Sequence, residues 1–190
     1  MASPELAQPE LECSRALPRG ALRAWVTAYT GIWVVAGISA VLVLIGGEPV
    51  KAVTRRLLAV SLDPNPAPSV GHVLVLAAHN LPILAWPLLL GVAGAHRHRL
   101  ARRVADTLLA GALAVNTLLV GIAIGAYGTP LLAYLPQVPF EWAAAAAGAS
   151  GWISQRRHAL DPREGLALFA LTAGFVGCAA VLETVAIPHR

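Results

Sequence analysis

The stretch TPLLAYLPQVPFEWAAAAAGASGW, residues 129–152, decides how the chain is read. It places one acidic residue, Glu141, just ahead of a run of small residues: Ala143 to Ala147, then Gly148, Ala149, Ser150 and Gly151. In a bilayer, helices associate by packing rather than by the hydrophobic effect, and small side chains let their backbones approach closely. A carboxylate one turn inside such a segment costs roughly 2.5–3.5 kcal/mol on insertion scales. The stretch is therefore expected to form the central helix of a bundle, with Glu141 turned toward protein or water.

The rest of the 190 residues agree with a membrane setting. Hydrophobic residues make up 57% of the chain and charged residues 13%, with a mean hydropathy of +0.66. Soluble domains carry about 25% charged residues. This balance excludes an ordinary soluble domain and indicates an all-α, polytopic membrane bundle of about five transmembrane helices. Segments of about 20 apolar residues cross a hydrocarbon core, and the apolar runs put spans at 24–45, 70–95, 104–127, 138–154 and 165–187. Residues 1–20 read as a polar tail without a cleaved leader, and 21–190 as a single bundle. Trp25 and Tyr29 fit belt aromatics at a membrane interface. Gly121 and Gly125 form a Gly-x-x-x-Gly pair suited to close helix crossing.

The 46–69 connection carries a loop signal from Asp63 to Ser69. Before it, Val50, Val53, Leu57, Leu58 and Leu62 alternate with Lys51, Arg55 and Arg56. That spacing suits either an interfacial amphipathic helix or a plain solvated connector.

The net charge of +4 is a topology signal rather than a nucleic-acid footprint. Arg15, Arg19, Arg23, Arg97, Arg99, Arg102, Arg103, Arg156, Arg157 and Arg163 fall on one side. Lys51, Arg55, Arg56 and Arg190 fall on the other. The excess of basic residues marks the cytoplasmic face, which places the N-terminus inside and the C-terminus outside at the cell membrane. Cys13 and Cys178 have no spacing for a disulfide or a metal motif.

Polar residues inside the apolar layer are the candidate site. Glu141 and Glu183 are expected about 5 Å below the outer boundary, and Asn116 about 16 Å below the outer end of its helix, at about 1.5 Å per residue. His79 and Asn80 lie roughly 14 Å into the second span. His72 and His79 stand two turns apart on one face. A histidine beside a buried carboxyl can move a proton or hold a divalent cation, although no motif calls for a cofactor. The plainer readings are interhelical glue for Asn80 and Asn116, snorkelling for the two glutamates, an interfacial place for His72 and a satisfied core histidine for His79. Soluble-enzyme signatures such as Gly-x-Ser-x-Gly or His-Glu-x-x-His are absent from the sequence.

Four features, taken in order, resemble the stage II sporulation protein M family over about the last two-thirds of the chain. They are Ala78-His79-Asn80 in an early span, Asn116 followed by Gly121, Pro136-Gln-Val-Pro-Phe-Glu141 ahead of the alanines, and Ala180-Val-Leu-Glu183 with Pro188. Gln137 and Val138 stand where that family's turn has histidine and glycine. The resemblance implies a scaffold or transport-associated membrane subunit with an outward-facing polar pocket. Its partners would be the lipid bilayer and other membrane proteins, either cell-wall hydrolases or, in the circular-bacteriocin branch, an ABC-type ATPase and a peptide. Two alternatives stay open. One is a membrane-embedded peptidase or ligase using Glu141, Glu183 and His79, with Asn80 and Asn116 as donors. The other is a proton- or ion-coupled carrier.

Overall fold

The computed structural model describes residues 19–59, 68–157 and 160–186. These form α1 (Arg19–Ile45), α2 (Gly47–Leu58), α3 (Val70–Val92), a short 3-10 turn (Ala95–Arg97), α4 (Arg99–Tyr127), α5 (Thr129–Leu132), α6 (Val138–Arg157) and α7 (Pro162–Val185), with no strand among the described residues. The expected 1–20 tail (apart from its last two residues), most of the Asp63–Ser69 loop, His158 and Pro188 lie outside them.

Helices α1, α3, α4 and α7 are long and apolar enough to cross a membrane. The chain is thus an all-helical membrane protein. The fifth long helix, α6, is different. Every residue from Trp142 to Trp152 is buried, enclosed by α1, α3 and α7. A helix with no face toward lipid needs no apolar face, and alanine and glycine serve it better than leucine.

Close glycine contacts give the direction of each helix. Gly121 lies against the backbone of Ala36, and Gly125 against Ala40 and Val43, so α1 and α4 run parallel. Gly148 lies on the Leu84 carbonyl, Gly151 on Leu88, and Gly91 on Gln155, so α3 and α6 run parallel as well. Trp142 meets Asn116 and Trp152 meets Asp106, which sets α6 antiparallel to α4. Arg19, Arg99 and Arg157 therefore share one end of the bundle, and Tyr127 and Val185 lie toward the other.

Pro82 and Pro87 both sit inside α3, which stays continuous past them. Close to Pro87, the Leu84 carbonyl is covered by Gly148, a small residue that fits the altered backbone there.

Two sequence expectations are corrected. Trp25 and Tyr29 do not form an interfacial belt. Trp25 stacks between Tyr29 and Phe175 at 5.3 and 6.1 Å, and its indole donates to the Ala143 carbonyl at 3.0 Å. A buried indole N–H needs an acceptor, and the small α6 leaves a backbone carbonyl within reach. The second correction concerns depth. Trp142 donates to Asn116 at 2.9 Å, and Asn116 lies about 16 Å from the Tyr127 end of α4 at 1.5 Å per residue. Glu141 next to it is therefore near mid-bundle rather than about 5 Å in. The cause is the segment from Gly128 to Gln137, where α5 and two tight turns carry the chain inward before α6 begins.

Of the two readings of the 46–69 connection, the helix is present as α2. Gly47, at φ +67°, provides the left-handed turn that folds it back from α1. It packs against the Tyr127 end of α4, where Arg55 Nε donates to the Ala126 carbonyl at 2.8 Å. Lys51 donates to Glu48 at 3.0 Å. That hydrogen bond, with the lysine's charge, holds the Glu48 carboxyl below its ordinary pKa.

The α1–α4 seam yields a test. Gly121→Val places methyl groups on the Ala36 backbone and should cost about 1–3 kcal/mol, as overpacking does. The readout is a lower thermal midpoint in mild detergent. Gly111→Val, with no neighbour within 4 Å, should leave the midpoint close to wild type.

Candidate functional site

Helices α3 and α4 barely touch, and a cleft of about 240 Å³ fills the gap between them, with α6 as its floor. Asn80, Ile83 and Trp86 line it from α3, Leu109, Asn116 and Thr117 from α4, and Glu141 and Trp142 from α6. Its walls are mostly apolar, and its polar groups come from three separate helices. It lies where α3 and α4 are least in contact.

The chemistry follows from each group's partners. Asn116 Oδ1 accepts the Trp142 indole N–H at 2.9 Å, which leaves its amide N–H groups for the cleft. Trp142 is fixed on its other side by an edge-to-face contact with Trp33 at 4.7 Å. Glu141 is half-buried, and its carboxyl makes no hydrogen bond or ion pair among the described residues. The Glu183 carboxylate acts on it electrostatically, and His72 acts on Glu183 in turn. His72 is half-buried in the first turn of α3, and Glu183 half-buried in the last turn of α7. Of these three titratable side chains, Glu141 lines the cleft, and His72 and Glu183 sit at the ends of α3 and α7.

Of the residues singled out in the sequence, Asn80, Asn116 and Glu141 come together in the cleft. Glu183, in the last turn of α7, and His72, in the first turn of α3, do not line it. His79 is exposed and does not line it. Cys178 is a free, exposed thiol on α7. Among the described residues no group of three or more His, Cys, Asp or Glu side chains is placed to hold a metal ion.

Sequence reasoning missed the tryptophans and one acid. Trp86 and Trp142 form walls of the cleft. Nearer the arginine-rich end, Asp106 Oδ1 accepts from Trp152 Nε1 at 2.8 Å and from Arg156 Nη1 at 2.7 Å. The signal was Asp106 itself, an acid inside an apolar run. It falls inside the 104–127 span and was not singled out there.

The two donors on Asp106 should be separable by mutation. Asp106→Ala strands the Trp152 N–H, which is 1% exposed as a residue, and should cost about 1–3 kcal/mol. Arg156→Ala removes only a half-exposed ion pair and should cost about 1 kcal/mol or less. Thermal unfolding of both variants in one detergent checks the order.

No protein-family model matches this chain, and no curated protein or solved structure matches it either.

Proposed function

We propose that this chain is a non-enzymatic membrane subunit whose α3–α4 cleft receives an apolar peptide or partner helix, a scaffold or transport-associated role of the stage II sporulation protein M type. The observation that carries the reading is the cleft itself. Asn80, Asn116 and Glu141 line one space with mostly apolar walls, set between helices α3 and α4 that barely touch. These are three of the residues on which the family resemblance rests. An apolar segment entering from lipid would bury its side chains on Ile83, Trp86 and Leu109. The amides and the carboxyl would meet its few polar groups, since hydrogen-bonding groups must be satisfied inside a bilayer. In this reading the chain crosses the cell membrane five times, with the arginine-rich end in the cytoplasm and the Glu183–His72 rim extracytoplasmic. An ABC-type ATPase or cell-wall hydrolases are the partner classes that the resemblance implies.

A photo-crosslinking residue in place of Ala112, which lines the cleft, tests the proposal in cells. It should capture one discrete peptide or membrane partner, and Glu141→Gln should reduce the yield severalfold. The same probe at Leu108, exposed and outside the cleft lining, should capture lipid only. Equal capture at both positions would rule out the cleft as the binding site.

The chain of His72, Glu183 and Glu141 supports a second reading, a proton-coupled step at the same cleft. Purified protein in proteoliposomes would then show substrate movement that depends on an imposed pH gradient and is abolished by Glu183→Gln. Movement indifferent to the gradient would exclude coupling and leave the scaffold reading intact.

A further inference from the structure

We propose that α2 forms a binding site for an anionic phospholipid, with the phosphate on Arg56 and an acyl chain along Val50, Val53 and Leu57. At about 100° per residue these three apolar side chains form one stripe roughly 60° wide. They are 41%, 59% and 80% exposed, the last being the most exposed large apolar side chain among the described residues. Nothing in the described protein covers them.

The protein holds the helix by its flank instead. Thr54 is buried, Arg55 Nε donates to the Ala126 carbonyl, and Tyr127 Oη donates to the Arg55 carbonyl at 3.3 Å. A stripe held off the protein at the end of membrane-crossing helices has the geometry of an interfacial helix, with its apolar side in the acyl boundary.

The charges are arranged around that stripe. Glu48 lies on the opposite side of the helix and takes both Lys51, at 3.0 Å, and Arg55, at 3.6 Å. Arg56 is exposed, lies on the flank away from Thr54, and makes no hydrogen bond or ion pair among the described residues. It stands roughly 100° around the helix from the stripe. With the stripe in the acyl region, its guanidinium reaches the level of the headgroup phosphates, which it can bind with two parallel hydrogen bonds.

Leu42, Leu44 and Ile45, at the end of α1 that Gly46 joins to α2, are exposed as well. An exposed apolar stripe on a helix at the end of a membrane-crossing helix, with a free cation on its flank, selects an anionic lipid over a protein as the occupant.

The test uses the full chain in vesicles of phosphatidylcholine with phosphatidylglycerol, followed by gentle extraction and native mass spectrometry of retained lipid. Phosphatidylglycerol should be retained in preference. Arg56→Gln should weaken that preference about fivefold, the factor expected for one arginine at an anionic surface. A nitroxide at Leu57→Cys, with Cys13 and Cys178 replaced by serine, should be relaxed by oxygen and shielded from a water-soluble nickel chelate. Equal retention of the two lipids would overturn the proposal. So would a preference unchanged in Arg56→Gln, a nitroxide open to the chelate, or a co-purifying protein that shields position 57.

Discussion

The structure depends on backbone contact between helices that have almost no side chains between them. Gly148 sits on the Leu84 carbonyl, and Gly121 on Ala36. In lipid, burying leucine against leucine gains little, since the solvent is equally apolar. Close approach and the dispersion contacts it brings must supply the stability. For α6 this requirement takes up the whole circumference. With α1, α3 and α7 drawn tight around it, no room is left for α4 to reach it by backbone. Tryptophan side chains span the remaining distance, Trp142 to Asn116 and Trp152 to Asp106. The cleft lies beside the first of these bridges, with Asn116 and Trp142 both in its lining.

That origin explains why a carboxyl is tolerated at mid-bundle. Glu141 is carried to its depth by the inward fold of residues 128–137 and faces a cavity instead of acyl chains. The same fold leaves Gln137 Oε1 buried without a hydrogen bond among the described residues, while Gln137 Nε2 donates to the Tyr134 carbonyl. An orphaned acceptor of this kind costs about 1–3 kcal/mol. The turn leading into α6 thus carries an unfavourable group one helical turn from Glu141.

Much of this was legible in the sequence because membranes impose simple rules. Apolar length located the spans, and the small-residue run identified the enclosed helix. The Gly121–Gly125 spacing pointed to a close crossing. Asn80, Asn116 and Glu141 stood out because polar groups are costly in lipid, and the cleft gathers these three. One failure comes from counting depth from the nearest loop. Residues 128–137 dip inward, so Glu141 is deeper than its position in the span suggests. The other comes from partners on distant helices. Trp25 lies six residues into α1, where a belt is expected, yet its indole donates to the Ala143 carbonyl. Asp106 was not singled out, and its partners lie about 50 positions away on α6. Spacing along one helix does not reveal which helix will supply the donor.

The fastening of α4 is uneven along its length, and this bears on how the cleft could open. Toward the arginine-rich end, a carboxylate takes an indole and a guanidinium, bonds roughly twice as strong as neutral ones. At the Tyr127 end, Arg55 of α2 holds the Ala126 carbonyl through another charge-assisted bond. Between them, at the level of the cleft, a single neutral bond from Trp142 to Asn116 ties α4 to α6, a type worth about 0.6–1.7 kcal/mol between membrane helices. A ligand that offers its own donor to Asn116 Oδ1 replaces that bond at little net cost, while both ends of α4 stay fixed. On the α6 side, the weakest tie of α4 therefore lies beside the cleft, while its seam with α1 at Gly121 and Gly125 holds it in place.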